Sequence, residues 1–133
     1  MSLEAAPQSP TVVRAHARAW LAELRWPATA AGDVVLAVNE AVTNAVTHAS
    51  APQATPPRRA AVPVRVWMAV EAHEPGRRLL IRVRDHGTWQ PADPARGGYG
   101  LVLMRELMDH LELVHPGTGG TEVTMISPTV SSG

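Results

Sequence analysis

The chain has 133 residues, 45% of them hydrophobic, with 12 basic and 12 acidic side chains and no formal net charge. This length suits one compact domain, and the neutral balance excludes the electrostatic footprint of a nucleic-acid-binding protein. Cysteine is absent, which excludes disulfides and thiolate metal sites. No apolar run is long enough to span a bilayer, and MSLEAAPQSP lacks the layout of a secretion signal. We therefore expect a cytoplasmic protein with no membrane or direct nucleic-acid contact.

All 12 basic residues are arginine, so the chain contains no lysine. Walker A loops and eukaryotic-type protein kinases both need a lysine at the ATP phosphates. Pyridoxal enzymes need a lysine for the Schiff base. The sequence therefore excludes all three of these enzyme classes.

Apolar periodicity predicts two helices in the first part of the chain, at residues 11–24 and about 33–49. Pro27 closes the first helix, and Thr29 or Asp33 can cap the second. The second helix is rich in valine, a mediocre helix former, so burial must stabilise it. Residues 50–60 are a proline-rich connection that we expect to be an exposed loop.

Beyond residue 60 the apolar period changes to two, which predicts strands. Two strands joined by a turn at residues 74–77 form a hairpin, and the second carries Leu79, Ile81 and Val83 on one face. A loop, a helix at about 99–110 and two short strands at 111–115 and 121–126 follow. We predict a single domain over residues 1–133, with a core at about 10–127 and a flexible tail at 128–133. Its fold class is an α+β two-layer sandwich, in which helices cover one face of a mixed, mostly antiparallel sheet.

Glu40, Asn44 and His48 form one polar stripe along the second helix, because they recur every four residues. The stripe has two interpretations. It either faces solvent or lines a cleft, where buried polar groups need partners. In a cleft, Glu40 is a candidate general base and Asn44 a neutral oxygen ligand for Mg²⁺.

Asp85 continues the core-facing row of its strand, where a carboxylate must find hydrogen-bond donors. It either caps the following loop or accepts a hydrogen bond from a ligand's exocyclic amine, such as N6 of adenine. Gly87 would let a flat ring approach the backbone.

Glycines precede the third helix in the segment GGYGL, at residues 97–101. The exposed N–H groups and positive dipole of a helix start suit phosphates. Arg96, just upstream, either reaches a phosphate or stays solvated. The GTGGT segment at 117–121 is by itself a hairpin turn, and the histidines are too scattered to predict a zinc site.

Four features occur in a set order: E40-x3-N44 on a helix, D85-x-G87 after a strand, G98-x-G100-L101 at a helix start, and a turn ending in Thr121. This set resembles the Bergerat-fold (GHKL) ATPases, which include DNA gyrase, the ninety-kilodalton heat-shock chaperone, histidine kinases and MutL. EAVTNAVTHA and GYGLVLMRELMD look most like the anti-sigma-factor serine kinases of the RsbW and SpoIIAB type. The resemblance covers roughly residues 10–127.

The resemblance implies a role for each matching residue. Glu40 would orient or deprotonate the attacking hydroxyl, and Asn44 would ligate Mg²⁺. Asp85 would accept a hydrogen bond from the adenine amine, and Thr121 would support the adenine pocket. The residues that this assigns to ATP binding are Asn44, Asp85, Gly87, Arg96, Gly98, Tyr99, Gly100, Leu101 and Thr121.

The resemblance also implies a function: an ATP- and Mg²⁺-dependent protein-serine kinase that acts as an anti-sigma factor. Its expected partners are a small antagonist protein, phosphorylated on serine, and a sigma factor, and the family pattern adds a homodimer. The loop at 85–98 departs from the family, because it is short and lacks the second glycine of D-x-G-x-G. The alternatives are a non-catalytic ATP-binding module that sequesters a sigma factor or other partner, and a domain whose nucleotide site has decayed. Histidine-kinase activity is not expected, because no segment resembles a phospho-acceptor hairpin.

Overall fold

The structure is a computed structural model that describes residues 1–5, 10–49, 64–85, 99–114 and 120–131. These parts of the chain contain three helices and six strands. The helices are α1 (Pro10–Glu23), α2 (Ala28–Ala49) and α3 (Tyr99–Leu107). The strands are β1 (Ser2–Ala5), β2 (Val64–His73), β3 (Gly76–Asp85), β4 (His110–Val114), β5 (Thr121–Ile126) and β6 (Val130–Ser131).

The strands form one sheet in the order β1-β2-β3-β5-β4, and β6 also pairs with β3. Every pairing among the described strands is antiparallel. Alternate residues of β2, β3 and β5 are buried, and they join the inner faces of all three helices in one core. The predicted α+β sandwich, with helices on one face of a mostly antiparallel sheet, is therefore confirmed.

The core is built from aliphatic side chains and methionine together with Trp26. On β3 the row predicted from period two, Leu79, Ile81 and Val83, is buried. On β2 the predicted residues Val64, Val66 and Met68 are buried, whereas Val70 of the same row is 37% exposed and Val62 lies outside the described residues. The valines and alanines of α2 supply much of the opposite layer. The largest fully buried side chains include Leu21, Met68, Leu79, Ile81, Met104 and Met125.

Helix α2 begins at Ala28, earlier than the predicted start at Asp33. The backbone N–H of Ala31 donates to the Pro27 carbonyl at 2.8 Å, so the first turn forms directly after the proline. Proline is well tolerated at a helix start, because its missing N–H has no partner there anyway. Among the described helices, none is both long and apolar enough to cross a membrane.

The sheet extends beyond the predicted core at both ends. Strand β1 pairs with β2 before residue 10, and β6 pairs with Gly76 and Arg77 of β3. Residues 130–131 of the predicted tail form β6, and residues 132–133 lie outside the described residues. Ser127 makes this extension feasible, since its N–H donates to the Leu79 carbonyl at 3.0 Å and its Oγ accepts from the Leu79 N–H at 2.8 Å.

Helix α1 ends in a turn that places Arg25 in the left-handed region, with φ of 56°. The Arg25 N–H donates to the Ala22 carbonyl and the Trp26 N–H to the Leu21 carbonyl, both at 3.0 Å. These two bonds form a Schellman motif, which usually places glycine at the left-handed position. A side chain is strained there, because Cβ approaches the backbone.

Replacing Arg25 by glycine is therefore expected to raise the free energy of unfolding by about 0.5–1 kcal/mol. Urea unfolding followed by circular dichroism measures this change. Arg25→Ala is the matched control, because it removes the guanidinium but retains Cβ, and it should bring no gain. If alanine stabilised the protein as much as glycine, the side-chain charge rather than backbone strain would be the cause.

Candidate functional site

The second half of α2 faces the first turn of α3. Glu40 and Asn44 lie one turn apart on α2, and both are half-buried. A methyl group added at Gly100 would lie 2.9 Å from Asn44 Nδ2 and 3.1 Å from Glu40 Oε1. Gly100 is itself buried. Both side chains therefore lie beside the start of α3.

The sequence explains how the two helices come so close. Ala41 and Ala45 of α2 are small and fully buried, and Gly100 has no side chain to separate α3 from the polar stripe. Met104 and Met108 anchor α3 in the core, with 0% and 5% exposure. The N–H groups of the first turn of a helix have no partner within that helix. Glu40 and Asn44 therefore lie beside a group of N–H donors at the positive end of a helix dipole.

A second polar pair lies on the sheet. Asp85 ends β3 and Thr121 begins β5, and the pairing register places them directly opposite each other. Asp85 is 1% exposed and Thr121 is 0% exposed, so both belong to the helix-facing row. Opposite residues in an antiparallel pair have Cβ atoms roughly 5 Å apart. This pair is therefore a buried carboxylate beside a buried hydroxyl, each with an interaction in the protein.

Helix α2 and strand β3, which pack against each other, carry Glu40, Asn44 and Asp85. Helix α2 begins near the start of β3, because Asp33 borders the same cavity as Val130, and Val130 pairs with Arg77. Helix α2 also packs on β3. From Asp33 the helix rises about 10 Å to Glu40 at 1.5 Å per residue. Glu40 and Asn44 therefore lie well beyond the start of α2 and away from the cavity at Asp33.

Part of the predicted site lies outside the described residues, namely Gly87, Arg96 and Gly98. Tyr99 begins α3, but only its backbone is described. Leu101 follows Gly100 in α3 and packs partly buried against the core. Of the predicted set, the structure thus brings together Glu40, Asn44, Gly100 and Leu101 at the helices, and Asp85 with Thr121 on the sheet.

Arg14 makes a contact beside the polar stripe of α2 that the sequence did not predict. Its Nη1 donates to Asn39 Oδ1 on α2 at 2.7 Å, and its Nη2 donates to Thr11 Oγ1 at 3.2 Å. Asn39 precedes Glu40, so this bond ties α1 to α2 beside the polar stripe. In the sequence Arg14 is one of several polar residues of α1, and no motif marks a bond between helices.

Within the described parts, no group of three or more His, Cys, Asp or Glu residues could hold a metal ion. A magnesium ion needs no such cluster when it binds with a nucleotide, since phosphates and water supply most of its ligands. Asn44, which the sequence predicted as a neutral oxygen ligand, has its side-chain amide beside the start of α3.

Comparison with known proteins identifies the class of protein that has this fold and site. The family model for the histidine kinase-like ATPase domain matches residues 3–127. The chain belongs to this family, so it is an ATP-binding domain by class. This agrees with the predicted resemblance to the Bergerat-fold ATPases.

A solved structure narrows the resemblance. The chain is similar to the crystal structure of the RsbU and RsbW domains of Rv1364c from Mycobacterium tuberculosis, with 25% identity and a TM-score of 0.65. The match covers 99% of this chain and 34% of that chain. The chain therefore spans about a third of that structure, and the predicted resemblance to RsbW-type proteins is confirmed.

Proposed function

We propose that the chain is an ATP- and Mg²⁺-dependent protein-serine kinase of the anti-sigma type, with Glu40 as its catalytic residue. One observation carries the proposal: Glu40 and Asn44 both face the buried Gly100 at the start of α3. Membership of the histidine kinase-like ATPase family supports ATP as the phosphate donor. Similarity to a structure that contains an RsbW domain supports the anti-sigma role.

Described residues would contact both ends of a bound nucleotide, the adenine and the phosphates. Asp85 would accept a hydrogen bond from the adenine amine, and Thr121 beside it would support the ring. At the other end Gly100 lets the start of α3 lie close to Asn44, and the N–H groups of α3 would donate to phosphate oxygens. The predicted loop residues Gly87, Arg96 and Gly98 would complete the site.

Asn44 would hold Mg²⁺ through its side-chain oxygen. A bound magnesium ion neutralises charge on the phosphates. Glu40 would orient the serine hydroxyl of a partner protein and accept its proton. The acceptor would be a small antagonist protein, and a sigma factor would be the second partner. The assembly proposed for the kinase is a homodimer.

The second candidate is a non-catalytic module that binds ATP and sequesters a sigma factor or another partner. It is favoured by the sequence DHGTWQPADPARGG at residues 85–98, which is short and lacks the second glycine of the family pattern. In this candidate Asn44 and Asp85 still bind ATP. Glu40 has no catalytic role, because no serine hydroxyl loses a proton to it. The two candidates therefore differ in what a change at Glu40 does.

Replacing Glu40 by glutamine is expected to lower phosphate transfer at least 100-fold, because the amide does not accept the serine proton. ATP affinity should stay within a few fold. The assay follows label from γ-labelled ATP into an antagonist protein captured by pull-down from the native host.

Glu106→Gln is the matched control, because Glu106 is exposed on α3 and its change should leave transfer unaltered. Transfer by Glu40→Gln at the wild-type rate would disprove the catalytic role. Tight ATP binding by the wild-type protein without transfer to any antagonist would instead establish the non-catalytic candidate.

A further inference from the structure

A cavity of about 340 Å³ lies at the beginning of α2, away from Glu40 and Asn44. The turn between α1 and α2 and the first turns of α2 form one side. The segment that joins β5 to β6 forms the other. Apolar and aromatic groups supply most of its surface, including Trp26, Pro27, Val34, Pro128 and Val130.

Asp33 is the acidic residue that borders this cavity. It is half-buried, and the ion pairs found among the described residues use other carboxylates. No hydrogen bond of its side chain occurs within the described parts either. A partly buried carboxylate on an apolar wall is stabilised by a cation, because burial weakens its hydration. The charge of the cavity is therefore complementary to a positively charged group.

Three energetically unfavourable features occur at Trp26, which lines the cavity, and at two residues next to it. Arg25, one residue before Trp26, adopts the strained left-handed conformation. The buried indole N–H of Trp26 has no hydrogen-bond partner among the described residues, and neither has Nε of Arg77. Arg77 lies 4.7 Å from the Trp26 ring and donates to the Leu24 carbonyl at 2.7 Å. Strain and unsatisfied polar groups of this kind cluster at functional sites. Because both unsatisfied groups are donors, the charge of the ligand is inferred from Asp33 and not from them.

We propose that this cavity binds an organic cation, an ammonium or guanidinium group on an apolar body. The charged group would lie at Asp33, and the apolar body would pack on Trp26 and Val34. The volume falls within the range of roughly 300–1,000 Å³ that small-molecule sites occupy. The dipole of α2 places only about half a positive charge at the start of the helix. The full negative charge of Asp33 therefore sets the sign of the potential in the cavity. Arg77 does not border the cavity, and its guanidinium is directed at backbone carbonyls.

Three probes of similar shape and different charge test the proposal: benzylamine, benzyl alcohol and benzoate. Each is titrated into the full chain, and binding is followed by NMR at the indole N–H of Trp26. The signal is assigned from its loss in Trp26→Phe. Benzylamine is expected to bind about 3- to 10-fold more tightly than benzyl alcohol, as for a partly screened ion pair, and benzoate most weakly.

Asp33→Asn should remove the preference for benzylamine without abolishing the binding of benzyl alcohol. Asp109→Asn, the same change at an exposed site, should preserve the preference. A lysine blocked at both ends distinguishes the sources of the cation: tighter binding than benzylamine indicates a protein side chain, and weaker binding indicates a free amine. Equal affinities of benzylamine and benzyl alcohol, an unchanged preference in Asp33→Asn, or no shift at Trp26 with any probe would overturn the proposal.

Discussion

Replacing Asp85 by asparagine is expected to abolish measurable ATP binding, with a loss of affinity of at least 100-fold. Asp85 is 1% exposed and lies opposite Thr121. The asparagine amide can present a donor where the adenine amine also donates, and a buried donor left unpaired costs about 1–3 kcal/mol. Sites that hydrogen-bond a substrate group discriminate strongly when that bond is lost.

Thermal unfolding with and without ATP and Mg²⁺ measures this effect. ATP at about 100 times its Kd should stabilise the wild-type protein by about 2.7 kcal/mol, and Asp85→Asn should gain nothing. Asp109→Asn is the control, and far-UV circular dichroism establishes that each variant is folded. A full gain in Asp85→Asn would contradict the adenine role, and no gain in the wild-type protein would indicate a decayed site.

Replacing Gly100 by alanine is expected to weaken the binding of ATP with Mg²⁺ at least tenfold. The added methyl would lie 2.9 Å from Asn44 Nδ2 and 3.1 Å from Glu40 Oε1. Both distances are shorter than ordinary van der Waals contact, so both side chains must move from the start of α3. Alanine is the better helix former by about 1 kcal/mol, which offsets part of the strain in the folded state. The variant should therefore fold and still bind poorly.

Gly32→Ala is a matched control for this substitution. Gly32 also lies inside a helix, but an added Cβ would meet nothing within 4 Å. We expect it to raise the free energy of unfolding by about 0.5–1 kcal/mol and to leave ATP affinity unchanged. Isothermal titration calorimetry with ATP and Mg²⁺ compares the two variants. If Gly100→Ala bound ATP as tightly as Gly32→Ala, close approach at Gly100 would not matter for the site.

Prediction from the sequence was most accurate where residues of one kind recur with a fixed period. The period of two in β3 predicted its buried residues, and it also predicted that Asp85, on the same face, lies on the core side of the sheet. Helical spacing gave Glu40 and Asn44 a common face of α2. Spacing within one helix does not specify which element covers that face, so only the structure identifies Gly100 as their neighbour.

The short strands and the long-range contacts could not be predicted from the sequence, for physical reasons. Strands β1 and β6 have four and two residues, too few for alternation to be detected. Strand β6 is stabilised by its pairing with β3 at Gly76, and this contact is non-local. The cavity at Asp33 joins segments about ninety residues apart in sequence, and local propensity carries no information about such contacts. Arg25 occupies a position where glycine is the usual signal of a left-handed turn.

The strand order also bears on how the chain folds. Strands β2 and β3 are adjacent in sequence and can pair as soon as their turn forms, whereas Ser2 reaches its partner Trp67 only by closing a long loop. For about 65 residues that closure costs roughly 3–4 kcal/mol of entropy in the simplest estimate. The hairpin is thus the kinetically favoured nucleus, and β1 adds to an edge that already exists. Because β1 contacts β2 and not β5, its detachment would leave the pairing of Asp85 with Thr121 intact.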